Sequence, residues 1–139
     1  MRSLPRLPLV ALCVVGGGSA TAQGIPLAPG AILHFARGDS VEYLKSGPMY
    51  LATGQPGFLF AFHPFVPVED TVRLRAIGGE LWQWLRPKLD TSPTFVVLQA
   101  NTLRARAGFS VQAGHGYNLV LERHSDAKWY FLNESSPAP

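Results

Sequence analysis

From Ala31 onward, apolar and polar residues alternate in short runs, the period of β-strands, and one stretch near the middle switches to helical spacing. Ala31 to Arg37 puts Leu33 and Phe35 on one face and Ile32 and His34 on the other. Gly38-Asp39-Ser40 supplies turn chemistry, and Val41 to Lys45 returns with Val41 and Tyr43 on a common face. The pattern predicts a β-hairpin. Gly47-Pro48 is expected to break the second strand, leaving Met49 to Ala52 as a separate short one before the turn residues Thr53 to Gly57. Phe58 to His63 follows, with three phenylalanines two residues apart, and Pro64 and Pro67 should end it.

Asp70 or Thr71 then offers an N-cap for a helix. Leu74, Ile77, Leu81, Trp84 and Leu85 follow the i, i+3, i+4 spacing of one buried face. Arg73, Arg75, Glu80, Gln83 and Arg86 fall mostly off that face, so Arg75→Ala should change stability by less than about 0.5 kcal/mol. Gly78-Gly79 inside the helix costs about 1 kcal/mol per residue relative to alanine. Close approach of the helix to a sheet would account for it. Pro87 should end or kink the helix near Arg86.

Phe95-Val96-Val97-Leu98 has the continuous apolar character of a strand covered on both sides. Coming after a helix, it predicts a strand, helix, parallel strand unit with a right-handed crossover. Arg104 to Gly116 is irregular, and Tyr117 to Arg123 and Lys128 to Glu134 form an antiparallel hairpin around His124 to Ala127. The expected architecture is α+β: a small mixed or antiparallel sheet of five or six strands with one main helix, about residues 71–86, on one face. It would form a single domain over residues 23–134, with 135–139 as a disordered tail.

The residues before that domain change how the composition is read. Arg2 and Arg6, the apolar run Leu7 to Val15 and the small residues up to Ala20-Thr21-Ala22 have the pattern of a secretory signal peptide. Residues 1–22 are therefore expected to be removed, leaving Gln23 first. The run is too short for a membrane-spanning helix, which needs about 20 apolar residues. The formal charge of the whole chain is +3, but the leader holds two of its twelve basic residues and none of its nine acidic ones. The remainder is close to neutral at +1, which gives no general attraction to nucleic acid or anionic lipid. No stable membrane insertion is expected after cleavage.

Cys13, the one cysteine, lies in the leader, and Leu12 before it does not fit a lipoprotein box. Cleavage after Ala22 removes disulfides, thiolate ligands and cysteine nucleophiles together. Nine arginines against three lysines suggest a bacterial, GC-rich source. Periplasm or extracellular space is the expected location.

Catalytic signatures are missing. His34, His63, His115 and His124 show no paired metal-ligand spacing, and no metal or other cofactor is expected. No Gly-x-Ser-x-Gly elbow surrounds any serine. Carboxylate pairs could be drawn from Asp39, Glu42, Glu69, Asp70, Glu80 and Asp90, although capping and surface roles explain Asp70 and Glu80. Arg37-Gly38-Asp39 spells an adhesion tripeptide but also supplies what a hairpin turn needs. Arg104, Arg106 and Arg123 would share a face if the chain after Leu103 paired with the terminal hairpin.

The leading expectation is an exported, non-catalytic binding or interaction domain whose partner is a protein or small molecule. One alternative is a binder of small molecules or cell-wall fragments, with a pocket between helix and sheet lined by Trp82, Tyr117 and His115. A small exported enzyme using one of the histidines is the other.

Overall fold

The structure, a computed structural model, describes residues 25–104 and 116–139. Its elements are β1 (Ile32–His34), β2 (Ser40–Tyr50), β3 (Pro56–Pro64), α1 (Thr71–Leu85), β4 (Phe95–Asn101), β5 (Gly116–Arg123) and β6 (Trp129–Phe131). The six strands form one sheet in chain order, curled into a half-barrel. Every pairing is antiparallel except that of β3 with β4, which is parallel. That is the α+β arrangement expected, with α1 as the crossover between the two parallel strands.

Asp70 starts α1 by accepting a hydrogen bond from the Arg73 N–H at 3.2 Å. Leu74, Ile77, Leu81 and Leu85 are fully buried, as their spacing predicts. Trp84 is only partly buried, packing edge-on to Phe60, whereas Trp82 is fully buried. A curled sheet flanks the helix and covers a wider arc than a flat one, so a residue beside the predicted stripe goes under as well. Pro87 sits in a 3-10 turn, Arg86–Lys88, immediately beyond the helix.

The paired glycines have separate roles. A Cβ on Gly78 would come within 2.6 Å of Leu119 Cδ1 on β5, so its missing side chain lets the helix down onto the sheet. At Gly79 a Cβ would meet only the end of the Arg75 side chain, at 3.3 Å.

β2 departs from the expected pattern. It runs unbroken through Gly47-Pro48, absorbing the separate short strand, because Pro48 pairs with Phe58 of β3. Pairing along its other side stops with the bonds between Tyr43 and the residues preceding β1, so Pro48 lies where one side of the strand is an edge. Leu44 is the extra residue of a bulge between the Tyr43–Phe62 and Lys45–Ala61 pairs, and it is buried.

Polar clips hold the helix to both edges of the sheet. Arg73 pairs with Asp39 of the β1–β2 turn at 3.1 Å. That turn has Gly38 at φ +97°, so Arg37-Gly38-Asp39 is a working turn with its carboxylate engaged. On the other side Arg75 grips Glu134 through two bonds of 2.6 and 2.8 Å and lies 3.6 Å from the centroid of the Phe131 ring. Arg75 is therefore a bridge to the β6 edge and not a bystander on the solvent side. In the tail, the Ala138 N–H donates to Trp129 O at 2.7 Å and Ala138 is buried.

Three substitutions test this packing by chemical denaturation. Gly79→Ala should stabilise the protein by up to about 1 kcal/mol through helix propensity. Gly78→Ala should lose that gain to the clash with Leu119 and be destabilising by about 1 kcal/mol overall. Leu81→Ala should cost roughly 2–5 kcal/mol. A Gly78→Ala protein as stable as Gly79→Ala would mean that the helix does not sit this close to β5.

The Arg75 clip carries a pH signature. The Arg75 guanidinium holds the Glu134 carboxyl below the usual glutamate range. A depressed folded-state pKa adds stability that is present above the unfolded-state value and lost as pH falls through the folded one. Both side chains are more than a third exposed, so the pair with its stacking should be worth only about 1 kcal/mol. Arg75→Ala should thus be less stable than the parent at pH 7, with the gap narrowing at acid pH. A gap independent of pH would assign the whole effect to packing on Phe131.

Candidate functional site

Strand alternation sorts side chains between the helix side of the sheet and the opposite side, which carries no helix among the described residues and is called helix-free below. Val41, Tyr43, Phe62 and Ala100 belong to the core beneath the helix. Their neighbours Glu42, His63 and Asn101 consequently lie on the helix-free side, in one row across β2, β3 and β4. The row lies at the carboxyl ends of the two parallel strands.

Glu42 is only 3% exposed, a buried carboxylate on the side without the helix. A charge in that position needs a partner. Arg104 supplies one: its Nε donates to Glu42 Oε1 at 2.6 Å. The route is local. Asn101 is buried at the end of β4, and its Oδ1 accepts the Leu103 N–H at 2.9 Å, an Asx-type turn that redirects the chain towards β2. Asn101 O accepts from His63 Nδ1 at 3.0 Å, which ties the ends of β3 and β4 together.

Phe65 completes the cluster. It is about half exposed, meets the His63 ring edge-on at 5.1 Å between centroids, and has the Arg104 guanidinium carbon 5.1 Å from its own centroid. Imidazole and guanidinium therefore flank the same exposed ring. Since a carbonyl oxygen can only accept, His63 carries its proton on Nδ1 when neutral and keeps its Nε2 lone pair available. Among the described residues, no group of three His, Cys, Asp or Glu is placed to hold a metal ion.

Trp82, expected at a pocket, is wholly inside the core, its ring 5.0 Å from that of Trp129. Its Nε1 is buried with no acceptor among the described residues. Tyr117 is at the start of β5 and 36% exposed. His115 lies outside the described residues, as does Arg106. Arg104 and Arg123 do not share a face. Arg104 follows the carboxyl end of β4, whereas Arg123 is near its amino end, donating to Thr91 O at 2.9 Å. Several of the carboxylates have structural partners: Asp39 has Arg73, Asp70 caps α1, and Asp90 closes a turn on Ser92.

Two smaller polar contacts are more exposed. His34 Nδ1 is 2.9 Å from Ser40 Oγ across the first hairpin. At the last hairpin the Tyr130 hydroxyl donates to Asp126 Oδ2 at 2.7 Å under a stacked His124 ring. That hydroxyl, helped by the Lys128 N–H, keeps the Asp126 carboxyl below the usual range. Both belong to hairpins and serve them.

No protein-family model, curated protein or solved structure matches this chain.

Nitrogen NMR can check the His63 assignment directly. The neutral ring should show a protonated Nδ1 and a bare Nε2, and Asn101→Asp should leave that tautomer in place because the acceptor is the backbone carbonyl. A neutral ring protonated at Nε2 would break the link between the ends of β3 and β4.

Proposed function

We propose that the protein is an exported, non-catalytic binding domain that takes its ligand on the helix-free side, at Phe65, His63 and Arg104. The observation that carries this reading is the buried Glu42 carboxylate under an exposed arginine, beside an aromatic ring half open to solvent. An ion pair that exists only for stability could be replaced by apolar side chains at little cost, because desolvating a carboxylate consumes most of what the pairing returns. Orienting the arginine gives the buried charge a purpose.

Export is supported by the leader pattern over residues 1–22, and the absence of catalytic signatures in the sequence favours binding over turnover. The space between helix and sheet is an unpromising ligand site, since Phe58, Phe60, Phe62 and Trp82 fill it without exposure. A binder of small molecules or cell-wall fragments remains compatible with the helix-free site. Periplasm or extracellular space is the proposed location.

Two measurements test the proposal. Mass spectrometry of the exported form should place its N-terminus within a few residues of Gln23. An intact Met1 chain in the cytoplasm would overturn export, and a lipid on Cys13 would make the protein a lipoprotein instead. Fragment screening by NMR should give binders that shift the signals of His63, Phe65 and Arg104 and are recovered chemically unchanged. Binders clustering elsewhere, or consumed during the experiment, would refute the site or the non-catalytic assignment respectively.

A further inference from the structure

Taking that binding reading as its basis, we infer that the ligand is an organic carboxylate with an apolar body, the carboxylate held by Arg104 and the body laid on Phe65.

The guanidinium geometry selects the charged group. Arg104 uses its Nε edge on Glu42, and Glu42 is its charged partner among the described residues. In a planar guanidinium the edge formed by the two Nη atoms points away from the Nε–H and carries two parallel N–H groups. Such an edge matches the two oxygens of a carboxylate, and Arg makes this bidentate fit where Lys cannot. The Arg104 side chain is 59% exposed, so the edge is reachable, while Glu42 at 5% is a fixed anchor. Anchoring removes part of the rotamer entropy that a free surface arginine would lose on binding.

Phe65 selects the rest. Its ring is one of the larger exposed apolar groups and lies within reach of the same guanidinium. His63, bonded to Asn101 O, packs edge-on against the ring and limits where it can swing. With the guanidinium carbon 5.1 Å from the ring centroid, a ligand bound at the Nη edge would come within reach of this ring. Glu42 offsets the Arg104 charge, so charge alone distinguishes poorly between anions, and geometry with ring contact must provide the selectivity. A compact inorganic anion has no part that could use Phe65.

Titration of the protein with benzoate, benzamide, acetate and inorganic phosphate at pH 7, following Arg104 Nε–H and Phe65 ring signals, tests this. Benzoate should saturate both sets of signals and bind at least about tenfold more tightly than the other three. Arg104→Lys should remove that preference with the folded spectrum unchanged. Phe65→Ala should reduce benzoate to the level of acetate. Glu42→Gln keeps the shape but loosens the anchor, and should weaken benzoate binding without moving the site. Since Glu42→Gln could unfold the protein, Arg104→Lys carries the decision.

Equal binding of benzamide and benzoate would overturn the carboxylate assignment while leaving the binding site itself standing. Phosphate binding as well as benzoate would equally overturn it, in favour of a general oxyanion site. No response from any probe, with fragments binding elsewhere, would defeat the site reading as well.

Discussion

A parallel pair of strands inside an otherwise antiparallel sheet is the constraint on which this fold depends. β3 and β4 run side by side in the same direction, so the chain must return from the end of one to the start of the other. α1 makes that return and has to bury its apolar side on the way. The sheet curls to receive it, and Gly78 permits the contact with Leu119. Aromatic side chains from β3 and the apolar side of α1 then fill one core. Arginine clips at both edges add little free energy each but fix where the helix lies along the sheet.

The same constraint builds the polar cluster. Parallel strands end together, so the last residues of β3 and β4 emerge side by side at one end of the sheet. His63 and Asn101 meet there, and the Asx-type turn after β4 carries Arg104 across to β2. Were β3 and β4 antiparallel, the carboxyl end of one would face the amino end of the other, and Arg104 would be on the far side from Glu42. Topology thus converts residues 62 positions apart in the chain into an ion pair.

The helix-free side is therefore the more informative one. On the helix side the large apolar side chains among the described residues pack into the core, including the ring of Trp82, which looked from its residue type like a ligand-facing group. On the other side a buried carboxylate, a histidine with one nitrogen committed and a half-exposed phenylalanine lie together with no helix among the described residues over them. Packing alone gives no reason for that combination, and the proposed ligand site rests on it.

Local patterning carried the secondary structure because it reflects short-range physics. Proline and glycine placement, the alternation in Phe58 to His63 and the cap at Asp70 act within a few residues, and they led to the right class, the strand, helix, parallel strand unit and the close approach at Gly78. Where the sequence misled, the cause was a partner strand. Gly47-Pro48 reads as a break in isolation, yet β3 holds β2 together across it. Arg75 reads as a solvent-side residue on a helical wheel, but Glu134 lies 59 positions further on. The Glu42, His63 and Arg104 cluster was illegible for the same reason. Each residue is ordinary in its own segment, and only cross-strand register, shifted by the bulge at Leu44, decides which of them become neighbours.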